Sequence, residues 1–213
     1  MAKRTDAEIE ATRWLTPIFR VSHPHVFKPS KMKEGAAEYY SIEMLFDKTK
    51  VKASEIQKPL LAAITQRWGA DKSKWPEPLK LPFRDGDKPH GKKKEIKPEH
   101  AGHWVVKAST KAEFGKPAVV DKKQNEITNA ADFYPGCFAR AFCMAQGYTN
   151  PEKDGVSFIL DGVQKYEDGP ALGGKKSVSE MFGTIVEDEA PEAGEADLLG
   201  GADESSDDGE SFF

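Results

Sequence analysis

The alternation of apolar and polar side chains predicts β-strands along much of the chain. Within residues 39–46 every even-numbered side chain is apolar, so one face of this strand packs in a core. Residues 136–146 place small side chains on one face and larger ones on the other. Further strands are predicted at 104–111, 117–121 and 157–165, and a first strand at 15–27 is interrupted by a turn at Ser22-His23-Pro24-His25.

One main helix is predicted. Residues 52–68 repeat apolar side chains at helical spacing, Ser54 can cap the start, and Gly69 can end the helix. Pro59 predicts either a kink or a later start. Residues 70–103 contain five prolines and the lysine run 92–94, which predicts a long basic loop. Five or more strands without regular β-α-β alternation indicate a mainly β protein, built as a small closed or partly open barrel.

The net charge of -4 averages two different parts of the chain. Eleven of the 35 acidic residues follow residue 186 and none of the 31 Lys and Arg residues does, so residues 1–186 carry a formal charge of +7. This asymmetry predicts a polyanionic partner for the basic part. The acidic part is too poor in apolar residues to fold, and we expect it to be disordered. We therefore divide the chain into an extension at 1–13, a domain at 14–186 and a tail at 187–213.

Motifs for catalysis and cofactor binding are missing from the sequence. It contains no GxxxxGK[ST], no GxGxxG, no GxSxG and no CxxC pattern. Asp85 and Asp87 could bind a divalent ion, but an Asp-Gly turn is favoured. Two histidine pairs lack further ligands that would complete a metal site, and turn or loop roles are favoured for them: His23 with His25, and His100 with His103. We expect no enzymatic activity, no metal and no cofactor.

The sequence also lacks signs of a membrane or export segment. No apolar run approaches the roughly 18 to 20 residues that a membrane-spanning helix needs, and the first twenty residues are rich in charge. Cys137 and Cys143 would lie on one strand face, too far apart for a disulfide, so we expect buried free thiols. Both observations indicate a soluble protein in a reducing cytoplasm, without membrane contact.

The positive features indicate single-stranded nucleic acid as the polyanion. Bases stack on aromatic rings while Lys and Arg neutralise phosphate, so strands that interleave both residue types suit it. Phe138, Arg140 and Phe142 are the best instance; the equally open alternative places both rings in the core and Arg140 at the barrel rim. The other candidates are Trp104, Lys107 and Lys111 on one strand, Arg84, Lys92, Lys93 and Lys94 in the basic loop, and Tyr39 and Trp75 as further stacking positions.

The end of the chain predicts a second kind of contact. Two phenylalanines close an acidic stretch that has no other aromatic residue. Such a peptide can lay its charges on a basic groove and insert its end into a partner's pocket. A plain solubility tail is the alternative. The residues assigned to this contact are Asp207, Asp208, Glu210, Phe212 and Phe213.

Several linked motifs resemble the single-stranded DNA-binding proteins of tailed phages. In order over roughly residues 15–175, they are Phe19-Arg20-Val21-Ser22-His23-Pro24, Pro82-Phe83-Arg84-Asp85-Gly86-Asp87, the strand at 104–111 with Pro117-Ala118-Val119-Val120-Asp121, Tyr134-Pro135-Gly136-Cys137-Phe138-Ala139-Arg140-Ala141, and the stretch from Gly155-Val156-Ser157-Phe158 to Gly173-Gly174. The resemblance implies an oligonucleotide/oligosaccharide-binding (OB) fold and an acidic tail that contacts replication partners and occupies the empty DNA groove. Many bacterial binders end in a Pro-Phe-type peptide, whereas this chain ends Ser211-Phe212-Phe213.

The sequence therefore predicts a sequence-tolerant single-stranded DNA (ssDNA) binding protein that protects phage DNA during replication or recombination in the cytoplasm of the infected bacterium. Its predicted fold is an OB-like small antiparallel β-barrel with one main helix, long basic loops and a disordered tail. The expected partners are ssDNA, replication or recombination proteins and, in a homodimer, a second copy. The alternatives are a basic scaffold that holds acidic proteins and, less favoured, a divalent-metal nuclease.

Overall fold

Eight β-strands and two α-helices form the regular structure of residues 5–31, 34–91, 94–151 and 153–173, the part of the chain that this computed structural model describes. These residues all belong to one compact unit, Met1–Ser177. The elements are α1 (Asp6–Thr12), β1 (Arg13–Leu15), β2 (Phe19–Lys31), β3 (Glu38–Asp47), α2 (Ala53–Trp68), β4 (Phe83–Asp85), β5 (His103–Lys111), β6 (Ala118–Val120), β7 (Phe138–Tyr148) and β8 (Gly155–Glu167).

Five strands close into a barrel. They are hydrogen-bonded in the order β2-β3-β5-β8-β7, and β7 returns to β2. Neighbours are antiparallel except for β5 and β8, which run parallel. Counted along the chain, the order is 1-2-3-5-4, which is a Greek-key barrel of the OB type. The predicted mainly β, OB-like fold is thus confirmed, with one parallel pair that an alternation pattern cannot reveal.

The remaining strands extend this barrel at its edges. β1 and the start of β2 pair in succession with the same edge of β7. β4 pairs with β5, and β6 lies parallel to the end of β8. β4 was not predicted, because three residues in a proline-rich stretch carry no strand pattern of their own and depend on β5 for their hydrogen bonds.

The barrel interior holds the residues that the alternation places inside. Ile42, Met44 and Phe46 of β3 are fully buried, and so are the small residues on one face of β7. The two cysteines are buried free thiols, as predicted, and burial raises the pKa of each. Trp14 packs against Phe46 and Phe158, with ring centroids 5.6 and 5.0 Å apart. These contacts bring β1, β3 and β8 into one core.

The predicted main helix is α2. Its buried side chains, Ile56, Leu60, Ala63 and Ile64, join the barrel core. The N-cap is Lys52 and not Ser54, and the Glu55 carboxylate accepts the backbone N–H of Lys52 at 3.2 Å. The helix continues through Pro59, which lies in its second turn, and ends at Gly69 in the left-handed region with φ of 90°.

β2 differs most from its prediction. Instead of ending in a turn at Ser22-His23-Pro24-His25, it runs on to Lys31 with register shifts against β3. His23 has a φ of 44° at the first shift, where one strand contains an extra residue. The bulge depends on pairing with β3. The residues Ser22-His23-Pro24-His25 therefore indicate a local irregularity correctly, but they do not show that the strand continues beyond it.

Candidate nucleic-acid interface

The predicted site residues fall on two separate surfaces of the barrel. Lys107 and Lys111 lie on β5, with Arg84 on the adjoining β4. The sequence group Phe138, Arg140 and Phe142 lies on β7. In the ring of strands, β2 on one side and β8 on the other separate β7 from β3 and β5. The predicted residues therefore do not form one groove.

The first surface is the outer face of β3 and β5. Residues paired directly across antiparallel strands share a face, and three such pairs here are Tyr39 with Lys111, Ser41 with Ser109, and Glu43 with Lys107. Both lysines are exposed, whereas the neighbouring Val106, Ala108 and Thr110 point inward and are buried. This alternation presents cations to solvent on the strands whose outer face binds oligonucleotides in OB folds. We call it the β3–β5 face.

An aromatic residue that sequence analysis missed lies at the end of this face. Phe114 is 75% exposed and follows β5 in a short 3-10 turn. Lys111 Nζ lies 5.8 Å from its ring centroid and 3.0 Å from the Glu113 carboxylate. The hydrogen bond with Glu113 raises the pKa of Lys111. The spacing Lys111-x-x-Phe114-x-Lys116 was the available signal, because it interleaves an aromatic ring with two cations.

Trp104 is built into the barrel end. Its Nε1–H donates to the Val51 carbonyl at 3.1 Å. Its ring centroid lies 5.4 Å from that of Phe83 and 4.4 Å from Lys48 Nζ. The indole N–H of Trp104 is therefore hydrogen-bonded, and its ring already packs against Phe83 and Lys48. These contacts favour a structural role for Trp104 over base stacking. Trp75 is likewise half-buried, and its Nε1–H donates to the Gly69 carbonyl at 2.9 Å.

Arg84 belongs to a polar cluster on the β3–β5 face. Its Nη2 donates to Nδ1 of His100 at 3.0 Å and lies 3.6 Å from Oε1 of Glu43. Since Arg can only donate, Nδ1 of His100 is unprotonated and the neutral ring carries its proton on Nε2. Burial, followed by the charge of Arg84, lowers the pKa of His100. Arg84 is thus fixed in place, with a carboxylate beside it.

The second surface is the outer face of β7. Phe142 is 40% exposed and lies between Leu15 of β1, which is 56% exposed, and Gly162 of β8. Arg140 is also exposed, and its Nε donates to the Gln164 side chain at 2.8 Å. The outward direction of these side chains rules out the alternative with both rings in the core. Phe138 is half-buried, because the Gly169 backbone packs on its ring.

Of the remaining predicted site residues, the structure describes only Lys94. Lys94 is exposed in the loop between β4 and β5, with a φ of 51°. Lys92 and Lys93 lie outside the described residues. The tail residues Asp207, Asp208, Glu210, Phe212 and Phe213, and the boundary at 186, lie outside them as well.

Asp85 and Asp87 form the predicted turn. Asp85 Oδ1 accepts the backbone N–H of Asp87 at 3.0 Å, and Asp87 Oδ1 accepts that of Gly102 at 2.6 Å. Both carboxylates also bind Lys48 Nζ, and these hydrogen bonds lower the pKa of each aspartate. A lysine ammonium group thus takes the position between them. Within the described ranges, no cluster of three or more His, Cys, Asp or Glu side chains could hold a metal ion.

The sequence model of the family described as the ssDNA-binding protein of Enterobacter phage Enc34 matches residues 12–194. The chain belongs to this family. Because the family is one of ssDNA-binding proteins, the prediction of a non-enzymatic role and of a phage DNA-binding protein is confirmed. No curated protein matches the chain. Among the described residues, no helix is long and apolar enough to cross a membrane.

Solved structures support the same fold. The Enc34 protein in complex with ssDNA has 23% identity and a TM-score of 0.64, over 81% of this chain and 97% of that one. A second structure of the Enc34 protein has 21% identity and a TM-score of 0.62, over 85% of this chain and 97% of that one. The gp2.5 ssDNA-binding protein of bacteriophage T7 has 14% identity and a TM-score of 0.56, over 87% and 98%. Members of the family thus share this barrel with T7 gp2.5.

Proposed function

We propose that this protein binds ssDNA without sequence preference, along the β3–β5 face. The observation that carries the proposal is the row of cations and rings on that face: the exposed Lys107, Lys111 and Phe114, with the half-buried Tyr39 directly opposite Lys111. The family of ssDNA-binding proteins and the Enc34 complex with ssDNA support the same ligand. Lysines contact phosphate whatever the base, and each stacked base contributes roughly 1 to 3 kcal/mol, so the row suits any sequence.

The outer face of β7 is the alternative path. Phe142 offers an exposed ring there, and Arg140 offers a cation that is already hydrogen-bonded to Gln164. Phe138 is covered on one side by Gly169. Among the predicted site residues, this surface carries one cation, whereas the β3–β5 face carries Lys107, Lys111 and Arg84. We therefore assign the main DNA path to the latter. Lys92, Lys93 and Lys94 add three positive charges to the sequence between β4 and β5 and would supply further phosphate contacts.

We further propose that the tail at 187–213 competes with DNA and recruits replication or recombination proteins. The support is its charge: eleven acidic residues and no basic residue, beside a part of the chain that carries +7. Asp207, Asp208 and Glu210 would supply charge, and Phe212 and Phe213 would enter the partner. In this proposal the protein coats and protects phage DNA in the cytoplasm of the infected bacterium, as a monomer or homodimer.

Two matched double charge reversals test where the DNA lies. Fluorescence titration with oligo-dT compares Lys107→Glu/Lys111→Glu with Arg140→Glu/Lys122→Glu, which makes the same charge change beside β7. Lys122 lies near Arg140, because the Gln164 side chain accepts from Arg140 and donates to the Lys122 carbonyl at 3.4 Å. The first variant should bind roughly 100-fold more weakly, with a log K against log salt slope flatter by about 1.4, the value for two lost phosphate contacts. The second should retain most of its affinity.

The opposite ranking of the two variants would place the DNA on β7. Wild-type protein that binds double-stranded DNA or polyglutamate as tightly as oligo-dT would overturn ssDNA binding itself. A preference for polyglutamate would support the scaffold alternative, because stacking surfaces require unpaired bases.

A further inference from the structure

Glu43 is an acidic residue in the middle of the β3–β5 face. Its Oε1 lies 3.6 Å from Arg84 Nη2, and its Oε2 lies 3.4 Å from His23 Nδ1 and 3.5 Å from His100 Nε2. Lys107 is its direct partner across the strands. Four basic residues from four different segments therefore surround one carboxylate. Arg84 and Lys107 carry the positive charge that an incoming DNA phosphate would contact.

The contacts of this carboxylate are poorly formed for a purely structural ion pair. Oε2 of Glu43 and Nε2 of His100 are both buried, and neither has a hydrogen-bond partner of good geometry among the described residues. A buried polar atom without such a partner costs stability. Core packing therefore does not explain why the barrel keeps an acid at this position.

The surrounding backbone is arranged to keep the cluster together. His23 adopts a left-handed φ of 44°, which is unfavourable for a residue with a Cβ. This bulge brings the ring beside Glu43, where Ser22 Oγ contacts His23 Nδ1 at 2.6 Å. His100 is only 2% exposed and is held by Arg84 from the other side. Lys97 Nζ adds a further cation, 3.5 Å from His23 Nε2.

We propose that Glu43 is a positioning residue that acts as an internal counter-ion: it holds Arg84 beside the two histidines in the free protein and gives Arg84 up to DNA phosphate. This inference rests on the proposed function of the β3–β5 face. While Glu43 neutralises Arg84, a phosphate bound there releases less counterion and gains less affinity. Glu43 therefore limits how tightly the face holds DNA, which eases release of the strand.

The test is a salt titration of oligo-dT binding by the full-length chain carrying Glu43→Gln. We expect roughly five- to tenfold tighter binding, as for one charge removed a few ångströms from phosphate. The slope of log K against log salt should steepen by about 0.7, the value for one added phosphate contact. Glu10→Gln is the matched control: it removes an equal charge from α1, where Glu10 pairs with Arg13 at 3.2 Å, and should change affinity less than about twofold.

Glu43→Asp is the second variant, in case the glutamine variant does not fold. The shorter side chain keeps the negative charge but moves it away from Arg84. Glu43→Asp should therefore show part of the increase in affinity and part of the steepening of the salt slope expected for Glu43→Gln. Folded variants that bind more weakly, or with an unchanged slope, would overturn the role of Glu43 and leave ssDNA binding intact. Wild-type protein that fails to bind oligo-dT would instead overturn the proposed function.

Discussion

At the scale of single residues, exposure separates rings that can stack from rings that hold the fold. Trp104 looks like a stacking residue in the sequence, yet its indole N–H is bound to Val51 and its ring packs with Phe83. Phe114 is far more exposed and has a lysine beside its ring. The residue types that suit ssDNA can be recognised in the sequence, but which aromatic rings pack against the barrel and which stay exposed depends on tertiary contacts.

Phe114→Ala should weaken oligo-dT binding by about 1 to 3 kcal/mol, because it removes one base-stacking ring. Its melting temperature should stay close to that of the wild type, since so exposed a side chain contributes little to the core. Phe142→Ala is the matched control, an exposed ring on β7, and should bind almost normally. Equal losses of affinity in both variants would show that the strand also crosses β7.

At the scale of elements, the loop between β4 and β5 is fastened at its base. The Gly86 backbone N–H donates to the His103 carbonyl at 2.9 Å, and Lys48 joins Asp85 to Asp87. A Cβ at Gly86 would meet the carbonyl oxygens of His100 and His103, the latter at 2.6 Å. The backbones on both sides of the loop therefore approach each other where only glycine fits. This close approach of the two backbone segments brings His100 within hydrogen-bond distance of Arg84, at 3.0 Å.

Gly86→Ala should destabilise the protein by roughly 1 to 3 kcal/mol, the usual cost of forcing an extra carbon into a packed site. Gly91→Ala is the comparison in the same loop. Gly91 has a left-handed φ of 81° and open space around its Cβ position, so this substitution costs only the backbone strain, about 1 to 2 kcal/mol, without a steric overlap. Thermal or urea denaturation should show the larger loss for Gly86→Ala. A Gly86 variant as stable as the wild type would contradict the close approach.

The strands that the sequence predicted best are those whose pattern comes from the barrel interior. On β3 and β7 every second side chain points into the barrel core, so apolar or small residues recur with a period of two. β4 and the bulged half of β2 were missed because partner strands define them. The order of strands around the ring is also a tertiary property. Without it, Phe142 on β7 and Lys107 on β5 seemed to belong to one groove.

At the scale of the whole molecule, the proposed competition between tail and DNA depends on how charge is divided along the chain. Residues 1–186 carry +7, and the last part of the chain carries eleven acidic residues. In the proposed function, a tail of this charge would lower the attraction of the protein for phosphate. The net charge of -4 therefore says little about how the barrel itself meets DNA.

Deleting residues 187–213 should raise the affinity for oligo-dT, by roughly tenfold at 50 mM salt and much less at 300 mM, where charges are more strongly screened. The control is a full-length chain with the eleven acids replaced by Asn or Gln, which keeps tail length and removes charge. Both variants should behave alike. An affinity that is unchanged or lower after truncation would contradict competition between tail and DNA.

The most direct test of the central claim is to cross-link oligo-dT to the full-length protein with ultraviolet light and map the modified peptides by mass spectrometry. If ssDNA lies along the β3–β5 face, cross-links should fall in peptides that cover residues 38–47 and 103–116, with Tyr39 and Phe114 among the modified residues. Cross-links confined to residues 138–148 would contradict it, because they would place the strand on the outer face of β7.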